Sequence, residues 1–178
     1  MAIENVITGK NPPEDVYVII ENPRHSAPVK YEMDKDTGVL FVDRFTPTPM
    51  FFPAHYGYIP HTLGGDGDPV DAFVVTDIDV VPGCVIRARP VAVLVTEDES
   101  GMDEKVVCVP HTKLDRRFEK IKDVNDLEDL LKDQMKHFYE NYKGLESGKW
   151  VKVTGWEGVD TARKVIADGV ARLKKGAA

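Results

Sequence analysis

The sequence predicts an α+β fold, mainly β, built on a mainly antiparallel barrel or sheet. Three observations favour this class. Strand-like alternation of apolar and polar residues fills the first two-thirds of the chain, whereas apolar residues recur at spacings of three and four from Asp123 onward. The chain has 178 residues, 42% of them hydrophobic, which suits one domain with a full core. Strands first and helices last is the order typical of α+β folds.

The first strand is predicted at 15–21, where Val16, Val18 and Ile20 alternate with other residues. The preceding residues, 1–13, are expected to form an N-terminal arm.

A hairpin is predicted next. Residues 29–34 alternate well, the turn at 36–38 ends in glycine, and residues 39–44 should pair back. Lys30 and Arg44 each end the polar face of one of these predicted strands. This position distinguishes them from ordinary surface charges.

Residues 45–65 are rich in proline and aromatic residues, so we expect an ordered, packed loop. Four more segments follow in order: a strand at 72–77, a strand at 85–96 that must be bent, bulged or on an edge at Pro90, a polar loop at 97–104 around Ser100-Gly101, and a strand at 105–109.

Two helices are predicted late in the chain. The first begins at Asp123 and ends near Gly144, and the second is capped by Asp160. A last strand at 151–155 lies between them, and residues 174–178 are expected to fray. No domain boundary is visible, so one domain is expected.

The net charge is −7. An acidic chain attracts neither nucleic acid nor an anionic membrane through its overall field, so neither partner is expected. Cys84 and Cys108 lie in apolar runs, which indicates buried structural thiols and a reducing compartment. No signal peptide or membrane span is recognisable, and a cytoplasmic protein is therefore expected.

The sequence between Asp66 and Asp71 reads Asp-Gly-Asp-Pro-Val-Asp. Gly67 and Pro69 are turn formers, and an apolar strand follows, so three carboxylates should converge at a strand mouth. Carboxylates this close repel each other unless a cation lies between them, and Mg²⁺ prefers such oxygen ligands. A solvated acidic turn is the alternative, and these residues alone leave both open.

A second acidic cluster surrounds residues 97–104, with Asp103 and Lys105 on one face of the following strand. Lys30, Arg44, Lys105 and Lys143 are candidate cations for an anionic ligand, and Tyr56 and Tyr142 are candidate hydroxyl donors. There is no phosphate-binding glycine loop, no zinc-ligand pattern around His55 and His61, and no nucleophile elbow.

The segment Asp66-Gly67-Asp68-Pro69-Val70-Asp71-Ala72 resembles the signature of the soluble family I inorganic pyrophosphatases, of the short bacterial type. The resemblance runs from about Val16 to Trp156. Other motifs of that family stand in the same order: Glu21, Lys30-Tyr31-Glu32, Asp43-Arg44, Pro53 to Tyr58, Asp98 with Asp103-x-Lys105, Tyr142-Lys143, and Lys149 to Lys152.

The resemblance implies metal-dependent hydrolysis of pyrophosphate to two phosphates on a five-stranded OB-like barrel with helices outside. It implies several Mg²⁺ ions per active site, which Mn²⁺ or Zn²⁺ can replace. It also implies that the protein is a homo-oligomer, specifically a hexamer. Asn141 departs from relatives with a histidine there, which bears on subunit contact. The implied roles are metal ligands at Asp66, Asp71 and Asp103 with support from Asp98, Glu21 and Glu32; substrate binding at Lys30, Arg44, Tyr56, Lys105, Tyr142 and Lys143; and a general base at Asp68.

Two other functions remain open at this point. A non-enzymatic module for single-stranded nucleic acid would need a basic groove with stacking aromatics, against which the net charge argues. A structural protein that binds divalent ions without turnover would melt in a metal-dependent way but release no phosphate.

Overall fold

Five strands form a closed ring in the computed structural model, which describes residues 3–99 and 101–176. The strands are β1 (Val16–Asn22), β2 (Val29–Asp34), β3 (Val39–Phe45), β4 (His55–Tyr58), β5 (Asp71–Val74), β6 (Val85–Asp98), β7 (Gly101–Pro110) and β8 (Val151–Gly158), and the helices are α1 (Asp129–Asn141) and α2 (Val159–Gly176).

The ring runs in the order β1, β4, β5, β7 and β6, and β6 closes it by pairing with β1. Its pairings are antiparallel except for the parallel pair β5–β7. Strand β8 extends the sheet beside β6, and β2 and β3 form a separate hairpin. The predicted fold class, mainly β with five strands that close on themselves and helices packed outside, is confirmed.

Neighbouring residues of the ring strands point into two different cores, as the period of two requires. Phe73 packs with aromatic residues of α1, whereas the adjacent Val74 packs in a second core with Ile166 of α2. Each helix therefore covers one side of the ring. Cys108 lies fully buried in the second core, where burial raises the pKa of its thiol to about 12, and Cys84 is partly buried beside it.

Helix α1 begins at Asp129, six residues later than predicted. The carboxylates of Asp123 and Asp126 cap each other's backbone amides and close a short 3-10 turn at Val124–Asp126. Leu127 then adopts an extended conformation, which interrupts the helical backbone even though its side chain continues the apolar spacing.

The prediction that Asp160 caps the last helix is wrong. Helix α2 already begins at Val159, whose amide donates to the distant carboxylate of Asp123 at 2.8 Å. Asp160 instead lies in the first turn and pairs with Arg163. The helix continues through Gly176, and residues 177 and 178 lie outside the described residues, so fraying at 174–178 stays a prediction.

Two predicted loops contain strand. The segment 45–65 includes β4, which pairs with both β1 and β5. The segment 97–104 is mostly strand, because β6 and β7 stay paired as far as Asp98 and Gly101; Ser100 lies outside the described residues. The predicted irregularity of β6 at Pro90 is confirmed, because the register with β7 shifts between Pro90 and Ala92, as in a β-bulge.

The N-terminal arm, described from residue 3, starts with a 3-10 turn at Ile3–Asn5. None of the described helices combines the length and the apolar character needed to cross a bilayer.

Candidate active site

A single cleft with a volume of about 210 Å³ is lined by all thirteen residues that the sequence singles out. They come from the end of β1, the β2–β3 hairpin, β4, the acidic turn before β5, the β6–β7 hairpin and the segment after α1. The thirteen are Glu21, Lys30, Glu32, Arg44, Tyr56, Asp66, Asp68, Asp71, Asp98, Asp103, Lys105, Tyr142 and Lys143. Residues far apart in sequence therefore meet at one edge of the ring.

The acidic turn is held by hydrogen bonds among residues 64–68. The side chain of Asp66 accepts from the amide of Asp68 at 3.1 Å, and the amide of Gly64 donates to the carbonyl of Asp68. Gly67 has a φ of 95°, a conformation that side chains other than hydrogen disfavour. This geometry leaves Asp66 and Asp68 exposed at the mouth, while Asp71 lies deeper at the start of β5.

Lys105 lies at the floor of the cleft and is almost fully buried. Its ammonium donates to Oδ2 of Asp71 at 2.6 Å and to Oδ2 of Asp103 at 2.7 Å. The hydroxyl of Tyr56 donates to the same Asp71 oxygen at 2.5 Å. The rings of Tyr56 and Tyr139 flank the ammonium at 5.8 and 5.4 Å from their centroids.

The ionisation of this group reflects both burial and pairing. Burial raises the pKa of Asp103. Burial disfavours the charged form of Lys105, yet the neighbouring carboxylates of Asp71 and Asp103 raise the pKa of Lys105 well above its ordinary value. Burial likewise raises the pKa of Tyr56 and of Tyr142. At neutral pH the floor therefore holds a charged lysine and two protonated tyrosines.

Glu21 forms the back wall, where its carboxylate accepts from the amide of Met33 at 2.7 Å. Burial raises the pKa of Glu21 to about 7, and the nearby charges of Asp71 and Glu32 add to the effect. The Glu21 carboxyl is thus one that a nearby cation would return to its ionised form.

The remaining cations of the cleft are each paired with a carboxylate. Lys143 pairs with Asp98 at 3.0 Å, and Lys35 pairs with Asp68 at 3.2 Å across the mouth. Lys30 pairs with Glu32 within the hairpin.

Lys30 and Arg44 stand directly opposite each other in the β2–β3 register. Arg44 also pairs with Glu146, which lies in the segment after α1, at 3.2 Å.

The donor set of the cleft suits a hard divalent cation. Seven carboxylates and five cationic side chains line it, so its walls carry a net negative formal charge. Within the described residues, no three acidic, histidine or cysteine side chains already form a metal cage. Lys105 instead lies between Asp71 and Asp103 and uses one oxygen of each, and the second oxygen of a carboxylate is a further ligand position.

Three residues that sequence reasoning missed also belong to this region. Lys35 and Tyr139 line the cleft, and Glu146 contacts it through Arg44. The position of Tyr139, four residues after Met135 and three before Tyr142, is a signal that could have found it. Lys35 and Glu146 lie in turns, where no periodic signal exists.

Comparison with known proteins gives one consistent result. The family model described as inorganic pyrophosphatase matches residues 18–174. The inorganic pyrophosphatase of Haemophilus ducreyi is 59% identical over 98% of this chain and all of the relative, and that of Vibrio vulnificus is 58% identical over 98% and 99%.

Solved structures agree. The crystal structure of an inorganic phosphatase from Anaplasma phagocytophilum superposes with a TM-score of 0.93 at 45% identity, covering 96% of this chain and 99% of that one. The inorganic pyrophosphatase of Thermus thermophilus gives a TM-score of 0.92 at 40% identity, covering 98% and 99%.

Proposed function

The chain belongs to the inorganic pyrophosphatase family, and from that premise we propose how its cleft carries out the hydrolysis of pyrophosphate to two orthophosphates. The observation that carries the proposal is the convergence of all thirteen family-matched residues on one cleft. Pyrophosphate is small and carries several negative charges, which fits a small cleft that mixes carboxylates with lysine and arginine.

We assign the metal ligands to Asp66, Asp71 and Asp103, supported by Asp98, Glu21 and Glu32. Their carboxylates are the oxygen donors that Mg²⁺ prefers, with Mn²⁺ or Zn²⁺ as substitutes. When bound, such ions neutralise charge and lower the pKa of the attacking water. The raised pKa of Glu21 supports the assignment, because burial, with a smaller effect from the nearby carboxylates of Asp71 and Glu32, disfavours a charge that a bound cation would compensate.

Asp68 is the proposed general base. It is exposed at the mouth of the cleft, where its carboxylate pairs with Lys35 at 3.2 Å. A carboxylate in this position can accept the proton of a water that attacks phosphorus.

Lys30, Arg44, Tyr56, Lys105, Tyr142 and Lys143 are the proposed substrate-binding residues. The hairpin contributes two of these cations side by side, with Lys30 opposite Arg44, so they can contact adjacent phosphoryl oxygens. Lys105 lies at the floor, and Lys143 lines the same cleft. Donors fixed in this way stabilise the charge that develops on the leaving phosphate.

The test is release of orthophosphate from pyrophosphate with Mg²⁺, measured colorimetrically. Activity should disappear when a chelator removes the metal. Asp71→Asn should lower turnover by about 100-fold or more, because it weakens a metal ligand that also accepts hydrogen bonds from Lys105 and Tyr56. Asp133→Asn, on the exposed face of α1, is the matched control and should turn over normally. Turnover of Asp71→Asn within a few-fold of the parent would show that the metal assignment is wrong.

We further propose a homohexamer that acts in the cytoplasm, without nucleic-acid or membrane partners. Large apolar side chains on the surface support subunit contact: Phe45 is 77% exposed and Val81 71%. Light scattering coupled to size exclusion measures the subunit number directly.

A further inference from the structure

Arg44 is held at the rim of the cleft by a residue that the family motif does not include. Nη1 of Arg44 donates to Oε2 of Glu146 at 3.2 Å, and both side chains are largely buried. The contact joins β3 to a segment 102 positions further along the chain. The guanidinium is therefore fixed from outside its own hairpin.

Glu146 is itself placed by an ordered backbone. Its amide donates to the carbonyl of Lys143 at 2.9 Å, and its carbonyl accepts from the amide of Lys149 at 3.2 Å. The hydroxyl of Thr48 ties the start of this segment to the chain after β3 by donating to the carbonyl of Tyr142 at 2.8 Å. Tyr142 and Lys143 lie in the same segment as Glu146. The contact between Glu146 and Arg44 therefore also fixes the position of Arg44 relative to these two residues.

The ion pair between Arg44 and Glu146 uses only some of the hydrogen-bonding groups of the two side chains. Among the described residues, Nε of Arg44 and Oε1 of Glu146 are both buried and lack a hydrogen-bond partner. Asp43 approaches that Nε at 3.7 Å, which is too long for a hydrogen bond. Because Glu146 accepts from Nη1 alone, this contact does not use Nη2, the other terminal nitrogen of the guanidinium, which can donate to a ligand.

We propose that Glu146 is a positioning residue, which holds Arg44 in the orientation that clamps the substrate. It acts through Arg44 and does not itself touch the phosphates. This inference rests on the proposed function of Arg44 as a substrate ligand. It predicts that losing the charge of Glu146 weakens substrate binding more than it slows the chemical step.

The experiment is a double-mutant cycle on Glu146→Gln, Arg44→Lys and the double variant, with steady-state kinetics on pyrophosphate and Mg²⁺. Glu146→Gln should lower kcat/KM by about 10-fold, mainly through KM, since coupled neighbours typically interact at this level. In the Arg44→Lys background the same change should cost less than about 2-fold. Glu140→Gln, on the exposed face of α1, is the matched control.

Two measurements keep the outcome decisive. Thermal melting of each variant separates lost positioning from lost folding, and calorimetric binding of imidodiphosphate, a hydrolysis-resistant analogue, follows the same cycle without turnover. Parent-like KM and Kd in Glu146→Gln, or equal losses in both backgrounds, would overturn the proposal. If the parent protein did not hydrolyse pyrophosphate, the proposed function would be wrong. The ratio of imidodiphosphate Kd values between Glu146→Gln and the parent would still decide the role of Glu146.

Discussion

Lys105 shows how a single residue shapes this site. Its side chain is 5% exposed, yet it carries a charge between two carboxylates and two aromatic rings. Removing one partner from such a group leaves the others buried without compensation, which costs more than the intact group contributes. The lysine therefore has a structural role in addition to its proposed contact with substrate.

At this scale we predict that Lys105→Met destabilises the metal-free protein by about 3 kcal/mol, because Asp71 and Asp103 then repel each other. Urea denaturation in the presence of a chelator measures the loss. Mg²⁺ should restore part of it by taking the place between the carboxylates.

The control is Lys149→Met, which removes an exposed lysine paired with Glu99 and should change stability little. If Lys105→Met were as stable as the parent in chelator, the ammonium would not be what holds the two carboxylates together.

Among the elements, β4 is short but closes one side of the ring between β1 and β5. A Cβ added at Gly57 would lie 1.8 Å from the carbonyl oxygen of Ile19, so only glycine allows β4 to approach β1. This close approach places Tyr56 at the cleft floor. The sequence does not reveal this strand for two reasons. Its four residues are too few to show alternation, and the surrounding segment is rich in proline.

We therefore predict that Gly57→Ala destabilises the fold by about 3 kcal/mol or more, since the backbone of β1 or β4 must move. Urea denaturation reports the change. Gly155→Ala in β8 is a matched strand glycine with no neighbour within 4 Å of the added Cβ, and it should cost less than about 1 kcal/mol. Equal effects of the two substitutions would refute a steric role for Gly57.

The whole molecule brings together charges that would not otherwise lie near each other. The cleft draws its carboxylates from five separate stretches of the chain, and the ring and the β2–β3 hairpin together hold them in one cleft. Folding of the metal-free chain must therefore work against mutual repulsion of these groups, which a bound cation relieves.

It follows that Mg²⁺ should stabilise the folded chain by mass action, by about 2.7 kcal/mol at one hundred times its Kd. For a chain of this length, that corresponds to a rise in Tm of about 5–10 °C. Differential scanning calorimetry with Mg²⁺ or with chelator, at matched ionic strength, measures the shift. Asp71→Asn should show a smaller shift, and an unchanged Tm in the parent would contradict the proposed metal site.

The sequence by itself determined the fold class, most strand positions and, through the family motif, the thirteen residues that line the cleft. Local signals suffice for the strands, because alternation and turn residues are properties of neighbouring positions. The thirteen residues instead follow from the resemblance to the family. The contacts of Lys105, Arg44 and Glu146, the start of α1 after the Asp123 turn, and the strand at β4 were decided only by the tertiary structure. Each depends on partners far along the chain, which no local pattern records: Glu146 meets Arg44, Asp123 caps Val159, and Gly57 faces Ile19.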